Sequence, residues 1–372
     1  MSKKGENIYK RKDGRWEGRY IRLYDENGKA KYGYVYGKSY SDVKRKLPAK
    51  KSSATLSVTV DSTSIFNEVL DAWLQSKRIN IKESTYARYL RLTDTHIRPH
   101  LGKYPVSKIS TQLVEKFIEI QLTDGRLNQG GALAPKTVSD ILSIVKSAFE
   151  YASYTGLPVV CNLSKLNIKK KEKEMRVLCH SEQEALVQVL THEIDLSKLG
   201  ILLSLYTGIR IGELCALQWC DFNLQTATMK VRKTMQRITD NNVGASSKTK
   251  VIVTEPKSQC SIRDIPLPSF LLPFLNEFIG EPKAYLLSGS KTQFVEPRTM
   301  QNRFKNYVNE SGIEPANFHS LRHTFATRCV EVGFELKSLS EVLGHANVNI
   351  TLNRYVHSSF ELKHNNMNKL TL

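Results

Sequence analysis

Long apolar runs are missing from this chain. No stretch approaches the roughly 20 apolar residues that a membrane helix requires, and the opening residues, MSKKGENIYKRKDGR, lack the apolar core of a signal peptide. A soluble, cytoplasmic protein without a membrane partner is expected. Paired cysteines are missing as well. The six present (Cys161, Cys179, Cys215, Cys220, Cys260, Cys329) form no C-x-x-C pair, so reduced thiols are expected rather than a zinc or disulfide framework. There is no G-x-x-x-x-G-K-[ST] loop and no H-E-x-x-H, which argues against P-loop and zincin chemistry. Acidic residues are scarce: 36 Asp and Glu face 55 Lys and Arg, a formal net charge of +19. An excess of that size points to a polyanionic partner.

The positive charge is unevenly spread. Residues 1–51 carry 16 Lys and Arg against 6 Asp and Glu, a net of +10. So small and basic a segment suits a phosphate backbone. Within it, IYKRKDGRWEGRYIRLYDENGKAKYGYVYG alternates β-prone aromatics with charges and breaks at the hairpin dipeptides Asp13-Gly14 and Asn27-Gly28. Three short strands are expected, then a small helix capped by Ser41 and running to Leu47. Arg15, Arg19, Arg22 and Lys31 are expected on one sheet face, of the kind that enters a DNA major groove.

Residues 48–63, rich in Ser, Thr, Lys and Ala, read as a linker. From Ser64 the apolar period becomes helical. One helix carries Ile65, Val69 and Trp73; a second carries Tyr86, Leu90 and Ile97 and stops near Pro99. A third, capped by Ser110 or Thr111, carries Leu113, Phe117 and Ile120. A fourth starts near Pro135 and ends at Gly156. Residues 64–166 therefore read as a four-helix bundle, and the charged run 167–174 as a second linker. Residues 175–372 read as a mostly helical domain with one strand group at about 228–266, in which QRITDNNVGASSKTK is a long polar loop. The fold class is multidomain and mainly α with small β elements: a three-stranded β module, a helical bundle and a mixed α/β domain.

The last domain holds the chemically suggestive residues. Arg210 sits in YTGIRIGEL and Lys257 in EPKSQCSIRDIPL. His319 and Arg322 sit in HSLRH, His345 in LGHANVNI and Tyr355 in LNRYVH. Two guanidiniums, an ammonium, two imidazoles and a phenol suffice to bind, attack and cleave a phosphodiester without a metal. Paired arginines clamp non-bridging oxygens bidentately. Glu213 shares a helix face with Arg210 and is expected to hold its guanidinium. His319 and Arg322 open a helix that Gly333 closes, with Ser320 as a candidate cap, and a helix N-terminus favours phosphate. His319 is a candidate to take the phenol proton or to bond the phosphate. His319 and His323, at i and i+4, would also be a metal pair, but no acidic or cysteine cluster supports one.

The order and context of these motifs resemble the catalytic domain of tyrosine recombinases, most of all the integrases of phages and conjugative transposons. The resemblance covers residues 64–357 well and the N-terminal module more weakly. It implies that residues 1–47 bind arm-type DNA and residues 64–166 clamp the core site. Tyr355, ten residues after His345, would be the nucleophile that leaves a 3′-phosphotyrosine. His345 would donate to a phosphate oxygen. Lys257, within Lys-x-x-x-x-x-Arg-x-Ile-Pro, would protonate the leaving 5′ oxygen. The resemblance also implies a homotetramer on two duplexes, strand exchange through a Holliday junction, an excisionase and a DNA-bending protein as accessory partners, and no cofactor. The tail SSFELKHNNMNKLTL is expected to pack on a neighbouring protomer. Two other readings are weaker. The separate basic module and the phage-like contexts disfavour a type IB topoisomerase, and the complete residue set disfavours a catalytically silent DNA-binding protein.

Overall fold

The structure is a computed structural model that describes residues 7–11, 13–24, 30–54, 64–126, 130–169, 175–240, 247–256, 259–355 and 367. It divides into two compact units, Met1–Lys171 and Glu172–Leu372.

The first unit opens with three strands, β1 (Ile8–Lys10), β2 (Trp16–Tyr24) and β3 (Ala30–Gly37), in one antiparallel sheet of that order. Residues alternate between faces along a strand. Ile8, Val35, Val43 and Leu47 form a small core between one face and helix α1 (Tyr40–Ala54), and Trp16 packs edge-on against Tyr40. Tyr32, Tyr34 and Tyr36 lie at alternate positions of β3 and are exposed. Arg19, paired with Tyr34, places its guanidinium 4.4 Å from the Tyr32 ring centre, while Arg11 and Arg15 lie 5.6 and 5.9 Å from that of Tyr36. The side chains of Arg22 and Lys31 lie outside the described residues.

Helix α1 differs from expectation at both ends. Ser39 Oγ, not Ser41, accepts the N–H of Asp42 at 3.2 Å. The helix continues through Ala54, so the first residues of the expected linker are helical; Lys and Ala there are good helix formers.

The helices α2 (Phe66–Arg78), α3 (Glu83–Leu92), α4 (Arg98–Leu101), α5 (Thr111–Asp124) and α6 (Pro135–Tyr154) follow. Their shared core includes Phe66, Trp73, Ile141, Val145 and Phe149, with the Phe66 and Phe149 rings stacked at 4.7 Å. The Trp73 indole N–H donates to Ser147 Oγ at 3.0 Å, satisfying the one polar group of a buried ring. Ser110 Oγ caps α5 by accepting the Leu113 N–H. Ile120, expected on the apolar face of α5, is exposed; Val114, Phe117, Ile118 and Gln121 form the buried face. Pro99 does not stop the second helix. A π-helical turn at Thr93–Ile97 resets the register, and Pro99 falls in the first turn of α4, where its missing N–H is not needed.

The second unit is built around α8 (Leu196–Thr207), which follows α7 (His180–Thr191). Leu199, Ile201, Leu202, Leu203 and Leu205 of α8 are all buried. A helix apolar on every side belongs at the centre of a domain. After α9 (Ile211–Ala216) come β4 (Phe222–Asn223), β5 (Thr228–Val231), β6 (Thr234–Thr239), β7 (Thr249–Thr254) and β8 (Arg263–Pro266). They make an antiparallel β4-β5-β8 sheet and a separate β6-β7 hairpin. The expected polar loop is shorter than its sequence suggests, because Gln236–Thr239 and Thr249 pair across that hairpin. Helices α10 (Leu272–Glu277), α11 (Pro297–Glu310), α12 (His319–Glu331), α13 (Leu336–Leu343) and α14 (Val348–Tyr355) complete the unit.

Candidate active site

Arg210 is placed by the turn before it. Helix α8 ends at Gly208, whose φ of 65° lies in the left-handed region. A Cβ there would fall 2.5 Å from Phe325 and 2.9 Å from Leu343, so backbone and packing both call for glycine. Two residues on, Arg210 caps α9 in extended conformation. Its backbone N–H donates to Glu213 Oε2 at 3.0 Å, its Nη1 to Glu213 Oε1 at 2.8 Å and its Nη2 to the Gly344 carbonyl at 3.3 Å. The expected Arg210–Glu213 contact is present, but it is not a surface pair. The Glu213 side chain is 3% exposed and that of Arg210 37%. The carboxylate also takes Arg263 Nη2 at 2.9 Å and Nη1 at 3.3 Å. Burial pushes the Glu213 carboxyl up; the guanidiniums of Arg263 and then Arg210 outweigh it and hold it below the usual carboxylate range.

Arg322 comes from α12 and is 2% exposed. Its Nη1 donates to the Gly208 carbonyl at 2.8 Å and its Nη2 to the Leu343 carbonyl at 2.7 Å. These carbonyls end α8 and α13, where helices leave C=O groups unpaired and carry partial negative charge. Burial first, and then the positive charge of Arg210, push the Arg322 pKa down to about 9, with Glu213 and Tyr355 acting in the opposite direction. The group stays cationic at neutral pH. Arg210 and Arg263 thus share one carboxylate while Arg322 is held by carbonyls nearby, and the remaining positive charge suits a phosphodiester.

The imidazoles and the phenol meet around the first turns of α12. His319 is exposed at the first residue of the helix, and its backbone N–H donates to Asn317 Oδ1 at 2.9 Å. Asn317 rather than Ser320 thus caps this end; Ser320 lies inside the helix, and its buried Oγ has no hydrogen-bond partner among the described residues. The His319 ring stands edge-on to His323, centroids 4.5 Å apart. Tyr355, 6% exposed, packs with Ala326, Cys329, Leu339 and Leu343, and its hydroxyl lies 2.9 Å from His323 Nδ1. The His345 ring lies nearly parallel to that of Tyr355 at 6.5 Å, and its Nδ1 is 2.8 Å from Thr351 Oγ1. A cavity of about 490 Å³ opens beside His319 and is lined by Arg298, Gln301, Asn302, Lys305 and Asn317, among others.

The structure thus brings Arg210, Glu213, Arg322, His345 and Tyr355 together, and it connects His319 to Tyr355 through His323. Lys257 lies outside the described residues, as do 356–366 and 368–372 of the tail. Two members were not singled out from sequence. Arg263 is the arginine of the Lys-x-x-x-x-x-Arg-x-Ile-Pro pattern, where its spacing was the available signal. His323 directly follows Arg322, and its spacing from His319 suggests only a metal pair. Among the described residues, no group of three His, Cys, Asp or Glu side chains is placed to hold a metal ion.

Comparison with known proteins places the chain in a family. The model of the phage integrase family matches residues 176–361, half of the chain, and that of its N-terminal SAM-like domain matches residues 65–120. The chain belongs to the phage integrase family. As a tyrosine recombinase, it is 27% identical over 359 residues to a XerC-like tyrosine recombinase of Caldanaerobacter subterraneus subsp. tengcongensis, covering 90% of each chain. It is 22% identical over 308 residues to the ICEBs1 integrase of Bacillus subtilis, covering 78% of each. Among solved structures, residues 82–397 of the Tn1549 transposon integrase in complex with circular intermediate DNA match with a TM-score of 0.66 at 22% identity, over 83% of this chain and 100% of that one. A lambda integrase tetramer bound to a Holliday junction matches at 0.57 and 18%, over 96% and 98%. These last two likenesses establish the fold of this phage integrase family member.

Proposed function

We propose that this tyrosine recombinase is the integrase of a mobile DNA element, which it integrates and excises at specific sites. The phenol of Tyr355 attacks the scissile phosphorus, the P–O5′ bond breaks, and a 3′-phosphotyrosine forms. Splitting the exchange into cleavage and religation conserves the bond energy, so no ATP is consumed. Arg210 and Arg322 hold the non-bridging oxygens of the pentacoordinate transition state. His345 donates to one of them, His319 contacts the phosphate, and Lys257 protonates the leaving 5′ oxygen. The observation that carries this reading is the Tyr355 hydroxyl near the Arg322 guanidinium, with Arg210 and Arg263 fixed on the buried Glu213 carboxylate.

Residues 1–47 are assigned to arm sites, 64–166 to the core site and 175–372 to catalysis. The exposed Arg15 and the half-buried Arg19 beside their tyrosines support the first assignment. Two relatives of similar fold are described on DNA, one as a tetramer at a Holliday junction. By analogy, this chain acts as a homotetramer on paired duplexes, with an excisionase and a DNA-bending protein as accessory partners. Among the described residues, no helix is long and apolar enough to cross a membrane. We place the protein in the cytoplasm, on the nucleoid when bound.

The test is covalent trapping on nicked DNA that carries the element's end sequence, with EDTA present. Wild type should give a shifted band on a denaturing gel and Tyr355→Phe should give none. No band on cognate DNA would reject the recombinase reading, and a band from Tyr355→Phe would reject the nucleophile.

A further inference from the structure

We propose that His323, not His319, is the base that takes the phenolic proton of Tyr355. The inference rests on the recombinase reading and assigns a residue that this reading leaves unused. A general base must lie within hydrogen-bond reach of the proton it removes. His323 Nδ1 is 2.9 Å from the Tyr355 hydroxyl. His319 meets the His323 ring edge-on and is itself exposed beside the cavity that Arg298 and Lys305 line.

Placement divides the labour between the two imidazoles. His323 is 8% exposed and Tyr355 6%, so the hydrogen bond between them is largely shielded from water. His319, at the exposed N-terminus of α12, is where an anion would arrive. In the proposed step Tyr355 Oη bonds to phosphorus and the P–O5′ bond breaks. The phenolic proton passes to His323 Nδ1, and the 5′ oxygen takes a proton from the Lys257 ammonium. Religation runs the same transfers backwards. The acceptor tautomer of His323 carries its own proton on Nε2.

Titratable groups face His323 from its own helix and from the elements packed against it. On its own helix they are His319 and Arg322, the latter turned to the Gly208 and Leu343 carbonyls. From α14 comes Tyr355, and from the turn before it His345, stacked on the far ring. On α8, Lys198 is bonded to the His192 carbonyl and Tyr206 packs edge-on against Phe270; on α13, Lys337 and Glu341 are exposed. The hydroxyl within hydrogen-bond distance of His323 Nδ1 is that of the nucleophile.

The experiment measures single-turnover adduct formation on nicked end-sequence DNA across a pH series. Wild type, His323→Asn, His323→Gln and His319→Asn are compared, with DNA affinity and melting temperature as controls. Asparagine places an amide oxygen or nitrogen near the position of Nδ1, so it keeps a hydrogen bond to the phenol but cannot accept a proton. Wild type should slow as pH falls through the imidazole range, because a protonated ring has no lone pair to offer. His323→Asn should be slower by about a hundred-fold or more at neutral pH, bind DNA as wild type does, and lose that acid limb. His319→Asn should be slower yet keep the limb. If His323→Asn does not fold, His323→Gln is read by the same criteria. An unchanged rate in the His323 variants, a slow variant that keeps the acid limb, or loss of the limb in His319→Asn instead would each overturn the proposal. Absence of any adduct from wild type would reject the recombinase reading itself and this inference with it.

Discussion

Arginines serve two regions of this molecule in opposite settings. On the N-terminal sheet, Arg11, Arg15 and Arg19 stand beside the exposed Tyr32 and Tyr36, and the sheet is backed by a core of only a few side chains. At the candidate active site, Arg210, Arg263 and Arg322 are gripped by Glu213 and by backbone carbonyls. In the first arrangement Arg11 and Arg15 are held only by the exposed or half-buried carboxylates of Asp13 and Glu17, a setting suited to interchangeable, salt-sensitive phosphate contacts. The second fixes each guanidinium before any ligand arrives, so no reorganisation is needed when charge develops. Charge count alone does not distinguish the two; burial and partners do.

This contrast can be broken most forcefully at Glu213. Glu213→Ala leaves Arg263 buried without its carboxylate, and chemical denaturation should show a loss of about 3–5 kcal/mol. The same group gives a pH signature. Its folded pKa is depressed, so its contribution is fully present above the ordinary glutamate range and is lost as pH falls through the lower folded value. Glu213→Gln should flatten that acid limb of the stability curve, and a curve that overlays wild type would show that the pair does not couple to folding.

Next in size is Arg322→Ala. Adduct formation should fall by roughly 10²–10³-fold, about 3–4 kcal/mol of barrier, while affinity for DNA changes little; a large loss of affinity with an unchanged single-turnover rate would contradict the preorganised role. Gly208→Ala should cost about 1–3 kcal/mol of stability, from the left-handed backbone and from overpacking against Phe325 and Leu343. Calorimetry that finds the variant as stable as wild type would remove the argument for that turn.

The smallest effect belongs to the sheet. Arg19→Ala should weaken arm-site binding and lower the slope of log affinity against log salt by about one. A slope equal to that of wild type would mean that Arg19 touches no phosphate.

Much of this was legible in the sequence because the signals are local. The helical period of Ile65, Val69 and Trp73, the Gly208 turn before Arg210, the Arg210–Glu213 spacing and the Gly344-His345 turn each need only a few neighbouring residues to be read. What escaped depends on tertiary contact. Arg263 matters because β8 lies against α9 and α13, which no spacing along β8 reveals. His323 looked like half of a metal pair because its distance from Tyr355, 32 residues in sequence, closes only when α14 docks on α12. Pro99 misled for a related reason: a π turn displaced it from a helix interior to a helix start.

Arg210, Arg322 and Arg263 also accept direction from the main chain, through the carbonyls of Gly208, Ser261, Val342, Leu343 and Gly344. A carbonyl is present whatever the side chain, so these anchors cannot be deleted by point mutation. Substitution can disturb them only by moving the ends of α8 and α13 or the turn before β8. At Gly344 that freedom is already spent, since a Cβ would meet Arg263 and the Cys260 carbonyl at 3.0–3.1 Å. The guanidiniums therefore keep their aim through the main chain, independent of the side chains that flank those carbonyls.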